Sequence, residues 1–252
     1  MLSYHNKPEL KALAIKAAQH HADQDMLIKG TYGHIDGSFK GCSVGCDAYD
    51  IMLAQGESKK SINSLISNDP HQITSEYFGF PAWLEKLRDT LFEHLEDNEG
   101  WHVSLKESIP VGVNQKRFDI VKARFLLFIL NGNIDRVNSL DLPKDLKEEV
   151  IGSINQCAAL HQTVIDGGEF PWSAVESAAW SAVESAVESA ARSAGSAVRS
   201  AGSAVESAES AARSADSARS ARSARSAESA AESARSVYET CADKLIELLK
   251  EA

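Results

Sequence analysis

Apolar residues recur at three- and four-residue intervals along much of the chain, and the first run begins at Leu10. Leu10, Leu13, Ala14, Ala17, Ala18, His21 and Asp25 fall along one broad face. Such a pattern marks a helix with one side against a core. Asn6, Pro8 and Glu9 stand before it as an N-cap, an early-helix proline and a capping-box acid, so the spacing predicts a helix over Lys7 to Ile28. Phe80, Trp83, Leu84, Leu87, Leu91 and Leu95 form a second stripe, and Phe118, Val121 and Phe125 through Leu130 form another. Leu146, Val150, Ile154, Cys157, His161 and Val164 mark a further helix. One more is expected to start near Ser43. The stretch KGTYGHIDGSFKGC holds four glycines and predicts a loop or short hairpin. No segment sustains a two-residue alternation, so the expected fold class is all-α.

From Ser173 to Ser236 the pattern changes to a repeat of Ser-Ala, with nine steps of four residues and nine of three, a mean of 3.5. Ala is the best helix former and this composition is poor in β propensity, so helix is the expected state. At about 100° per residue a four-step advances the stripe by roughly 40° and a three-step turns it back by roughly 60°. The steps alternate between Ser193 and Ser214, keeping the small residues on one face, where Ala197, Ala204 and Ala208 become candidate interaction residues. Uniform four-steps before and three-steps after carry the stripe around the helix in opposite directions. A helical arm folded back in two or more segments is therefore expected, with Gly195 and Gly202 as candidate breaks. Trp172, Val175, Trp180, Val183 and Val187 would anchor its start; Tyr238, Cys241, Leu245, Ile246, Leu248 and Leu249 form an amphipathic helix that would anchor its end.

Composition agrees with this division. No Lys occurs between Ser173 and Ser236, where seven basic and eight acidic residues nearly cancel. The shift follows the turn-forming GGEFPW at Gly167 to Trp172. Two parts are expected: a helical globular domain over residues 1–170 and the arm with its terminal helix over 171–252. A net charge of −10 argues against a duplex nucleic-acid surface. The Arg219, Arg222 and Arg225 triplet, flanked by Asp216 and Glu228, reads as a solvated face. The longest apolar run, FLLFIL at Phe125 to Leu130, is far short of a membrane span, and no export leader is expected at the N-terminus. Four cysteines are too few for a disulfide framework in a chain of this length, so a cytoplasmic protein is expected.

The stretch KGCSVGC, Lys40 to Cys46, carries the candidate chemistry. Cys42 and Cys46 are one helical turn apart, as are His21 and Asp25 on the first expected helix. The two pairs facing each other would supply two thiolates, an imidazole and a carboxylate, a set able to bind zinc. A second reading makes Cys42 a nucleophile at a helix N-terminus with His21 or His71 as its base, opposed by the nearby Asp47 and Asp50. A third is close packing of two small buried thiols.

The residues His21, Asp25, Gly30, Tyr32, KGCSVGC, His71, Gly79, Pro81, Trp101 and IPVG at Ile109 to Gly112, with the tail ending in ADKLIELL, resemble an uncharacterised bacterial and phage family. Its members carry Ala-rich tails with Ser, Trp, Arg and Glu, and some are labelled immunity proteins from their genomic setting. This sequence departs from it in Asp47 to Asp50, DAYD, where relatives more often carry a Thr-x-His run, and in the stretch Met52 to Asn68. The resemblance implies no activity. The expectation is an interaction factor of bacterial defence, conflict or phage origin, with a protein partner or a second copy of the chain. The rival is a small Cys-His or zinc-dependent enzyme at KGCSVGC.

The arm yields a direct test. Replacing Ala197, Ala204 and Ala208 with Leu should disrupt packing or assembly, because Leu forces helices apart that Ser and Ala let approach. Circular dichroism melting with sizing by light scattering reads this, and an unchanged melting temperature with unchanged mass would rule out a folded arm.

Overall fold

In the computed structural model the described residues are 1–36, 38–58, 69–169 and 236–252. The Ser-Ala repeat, including Ala197, Ala204 and Ala208, lies outside them. The fold is all-α, with one small hairpin. By contacts the chain divides into two units, Met1–Phe125 with Arg235–Ala252, and Leu126–Ala234.

In the first unit, α1 (Pro8–Asp23) packs against α2 (Ser43–Ala54). Helix α3 (Pro70–Phe78) lies on α2, and α4 (Ala82–His94) contacts both. Helix α5 (Asn98–Ser108) closes the group against α1 and α4. Between α1 and α2 runs the hairpin β1 (His34–Asp36) and β2 (Ser38–Lys40). The long helix α6 (Gln115–Ser139) begins in this unit, and the helix over 236–250, α8, belongs to it too.

Local chemistry sets most boundaries. The side chains of Asp69 and Asp97 accept hydrogen bonds from the backbone N–H groups of Gln72 and Gly100, capping α3 and α5. Gly79 ends α3 at φ 69°, a conformation glycine adopts without cost. Helix α1 stops at Asp23, five residues before the expected Ile28, because the chain beyond it is used elsewhere. Asp25 turns to φ 51°, after which Ile28 N–H donates to the Gly41 carbonyl and Gly41 N–H to that of Met26. Asn6 is not the N-cap; Lys7 holds that place with no side-chain cap, and Pro8 starts the helix. The N-terminal segment, a short 3-10 turn over Ser3–Asn6, is spent against 109–114 instead: Ser3 exchanges backbone bonds with Val113 and Gly112, and its hydroxyl donates to the Pro110 carbonyl at 2.6 Å.

The apolar stripes form the core. Phe80, Leu84, Leu91, Leu95, Phe118, Val121 and Phe125 are buried, as are Leu245, Leu248 and Leu249 of α8. The terminal helix is anchored as its amphipathic pattern predicts. Its Glu251 carboxylate also pairs with Arg124 at 2.6 Å, and Tyr238 stacks on His94 with ring centroids 4.0 Å apart. In the second unit, α7 (Lys144–Ile165) carries no buried residue among those described, and its expected face from Leu146 to Val164 is half-buried. No described helix is long and apolar enough to cross a membrane.

The loop before α2 passes very close to that helix. A Cβ placed on Gly45 would lie 1.6 Å from the Tyr32 carbonyl oxygen, and a backbone atom cannot swing aside as a side chain can. Gly45→Ala should cost about 3 kcal/mol, the upper end of ordinary overpacking. Urea denaturation reads this as a lower midpoint at constant slope; a loss below about 0.5 kcal/mol, the range of neutral surface changes, would show that the loop is free to shift.

Candidate functional site

Helix α2 begins inside KGCSVGC, at Ser43, and its first turn points two ways. Cys42 is the N-cap residue, its Sγ accepting from Gly45 N–H at 3.4 Å. Its thiol lies within 4.8 Å of a carboxylate oxygen of Asp89 of α4. The Asp89 carboxylate accepts from His71 of α3, with Nε2 to Oδ2 at 3.1 Å, and its other oxygen is buried without a hydrogen-bond partner. Tyr32 meets His71 edge to face at 5.5 Å. Glu93, one turn along from Asp89, accepts from Gly30 N–H at 2.7 Å. One carboxylate thus holds an imidazole and has a buried thiol close by.

This arrangement sets the thiol chemistry. Burial, followed by the charge of Asp89, pushes the Cys42 thiol far above its ordinary range. Cys46 is raised too, by burial and then by Asp47; its Sγ lies 3.5 Å from the Gly41 carbonyl and 3.6 Å from that of Met26. Both are fully buried. A thiolate, the form that attacks carbon or binds metal, is disfavoured at each. His71 sits on Asp89 alongside Cys42, placed to hold the carboxylate.

The other side of the turn carries a buried charge network. Asp47 is 2% exposed and lies among Arg88 of α4, Lys106 of α5, and two histidines, His21 of α1 and His102 of α5, all fully buried. Arg88 Nη1 donates to Asp47 Oδ2, and Lys106 Nζ is 2.6 Å from the same oxygen. Arg88 Nη2 donates to Glu85 Oε2 at 2.6 Å, an oxygen that Thr74 also bonds at 2.6 Å. Lys106 Nζ stands 3.7 Å over the Phe78 ring, a cation-π contact in a desolvated setting. Burial works to raise Asp47, yet Lys106 and Arg88 hold it well below the usual carboxylate range. Burial, with Arg88 beside it, brings Lys106 down to about 8. His102 is lowered by burial, against the pull of Asp47.

The sequence-derived zinc set is divided by this geometry. Cys42 and His71 meet at Asp89, His21 joins the Asp47 network, and Cys46 faces carbonyls. Asp25, off the end of α1, has an 82% exposed side chain paired with Lys40 at 2.8 Å. The early end of α1 is the physical reason, since it breaks the one-turn relation of His21 to Asp25. Spacing along the chain does not point to Glu85, Arg88 or Lys106, and it leaves His102 as an ordinary surface or core histidine. Their signal lay in register: Arg88 falls between Leu84 and Leu91 on the apolar stripe of α4, where a charge must find a buried partner.

One groove on this unit is strongly acidic. A space of about 450 Å³ between the start of α5 and α8 is lined by Leu95, Trp101 and Ile246 with the carboxylates of Glu96, Asp97, Glu239 and Asp243. A larger one of about 610 Å³, edged by Leu10, Leu13, Met52, Ile73 and Tyr77, has mixed charge from Lys7, Glu9 and Glu76. Comparison with protein-family models, with curated proteins and with solved structures finds no match for the chain.

Two outcomes follow for the network. Asp47→Ala leaves two buried cations without their shared anion and should cost about 3–5 kcal/mol, read by urea denaturation; a cost under 1 kcal/mol would show the network to be incidental. The pH dependence has a definite sign. His102 is lowered in the folded state, so from about pH 6.5 downward its unfolded form binds a proton that the folded form refuses, and stability falls with pH. The slope approaches about 1.4 kcal/mol per pH unit for one proton. Asp47, depressed in the folded state, adds a further loss below about pH 4. Stability curves between pH 7 and 5 for the native chain and His102→Gln should diverge in slope; parallel curves would contradict the assignment.

Proposed function

We propose that this chain is a protein-interaction factor of the immunity or inhibitor type, acting by binding a basic partner protein in the cytoplasm. The acidic groove between α5 and α8 carries the reading. Leu95, Trp101 and Ile246 give it an apolar floor, and four carboxylates give it a charged rim, the layout of an interface core and its border. With a net charge of −10 the chain would steer a cationic partner toward that rim. The groove is bordered by the helix that follows the Ser-Ala segment in sequence, and Ala197, Ala204 and Ala208, outside the described residues, are the interaction residues that the sequence adds to the same proposal. The resemblance to proteins labelled as immunity factors agrees with this. Four free cysteines suit a reducing compartment.

The rival reading, a Cys-His or zinc enzyme at KGCSVGC, draws support from the convergence of Cys42, Asp89 and His71. It is the weaker one, because both thiols are buried and held protonated. The test is a charge reversal, Glu239→Lys with Asp243→Lys, in the full chain. A partner captured from producing cells and purified should bind the native chain with salt-sensitive association and lose affinity roughly tenfold or more to the reversed variant. Equal affinity for both would remove the groove from the interface and this reading with it.

A further inference from the structure

We propose that His21, His102 and Asp47 form a binding site for one divalent transition-metal ion of the zinc type, buried between α1, α2 and α5. Asp47 Oδ1, His21 Nδ1 and both ring nitrogens of His102 are buried polar atoms without a hydrogen-bond partner. Such atoms are costly unless something pairs them. Asp47 Oδ1 lies 4.0 Å from His21 Nδ1 and 3.9 Å from His102 Nε2, and one ligand atom from each residue falls within 4.8 Å of the others. The two imidazoles are nearly parallel, 13° apart. A tetrahedral zinc with bonds of about 2.0–2.2 Å spaces its ligands roughly 3.3–3.6 Å apart, so Asp47 Oδ1 would have to approach each imidazole by about half an ångström, and the two imidazoles one another by at most about 1.5 Å.

The surrounding contacts suit an ion more closely than they suit packing. His21 Nε2 lies 3.0 Å from Asp50 Oδ2, which fixes the ring and leaves Nδ1 with its lone pair facing Asp47. Asp47 spends only Oδ2 on Arg88 and Lys106, leaving Oδ1 to coordinate. A carboxylate behind a ligating histidine, and donors behind a ligating carboxylate, are the supports that metal ligands use. Charge permits it: Asp47, Asp50 and Glu85 outnumber Arg88 and Lys106. The Asp50 side chain is 39% exposed, which puts His21 one residue from solvent. Two imidazoles with one carboxylate favour zinc, cobalt or nickel over calcium or magnesium. This set shares only His21 with the sequence-derived one and needs no thiolate. It stands independently of the proposed partner.

Cobalt(II) is the probe. Chelator-treated full-length chain should take up one Co(II), show visible d–d bands without thiolate charge transfer, and melt several degrees higher with Co(II) or Zn(II) than without. Asp50→Asn, which spares every ligand, should weaken affinity roughly 10- to 100-fold, and His102→Gln should abolish uptake. If His102→Gln does not fold, Asp50→Asn decides. No uptake and no thermal shift in excess metal would overturn the site and leave an internal water bridging these atoms. Thiolate charge-transfer bands would overturn it too, placing the metal at Cys42.

Discussion

A single carboxylate holds the first unit together. Asp47 is buried on α2, and taking one charge out of water costs several kcal/mol unless it is met by partners of good geometry. Arg88 and Lys106 reach the same oxygen from α4 and α5, and Arg88 in turn ties Asp47 to Glu85 and through it to Thr74 on α3. His21 brings α1 to the same place. Each group is tolerable in the interior only because the others are there, so the helices are constrained to one mutual arrangement. An apolar core of equal volume would supply stability, but it would not fix register in this way.

The position of Asp47 also governs the chemistry of the neighbouring turn. Burial first favours the protonated thiol at both Cys42 and Cys46, and the negative charge of Asp47 adds to it at Cys46. Asp89 repeats the effect on Cys42 and accepts a hydrogen bond from His71. A motif whose residue types suggest thiolate chemistry is thereby used as a tight, neutral joint between loop and helix. Gly45 makes the joint closer still, since the Tyr32 carbonyl occupies the space a side chain would need. The groove beside α8 is different in kind, lined by the carboxylates of Glu96, Asp97, Glu239 and Asp243 at its surface.

Elements with a long apolar stripe were legible in the sequence. Phe80, Leu84, Leu91 and Leu95, Phe118, Val121 and Phe125, and Leu245, Leu248 and Leu249 are buried as their spacing requires, because a repeat near 3.6 residues leaves only one way to bury a face. Trp83 and Leu87 are half-buried, and Leu13 of the first stripe is exposed. The hairpin in the glycine-rich stretch and the start of α2 at Ser43 were legible from local turn and cap chemistry. The end of α1 was not. Its stripe runs on through Asp25, and what stops the helix is a pairing of Met26 and Ile28 with Gly41, a contact between segments that no local pattern records.

The sequence by itself determined the all-α class, the stripes that become the core, the amphipathic terminal helix, and the presence of thiols, imidazoles and carboxylates near the start of α2. Only the tertiary structure decided which of these meet. His21 and Asp25 share a helical spacing yet part company, while Asp47, Arg88 and Lys106, far apart in the chain, share one oxygen. The reason is physical: periodicity is a property of a single helix, whereas the pairing of buried charges depends on how several helices pack and on the desolvation they impose together.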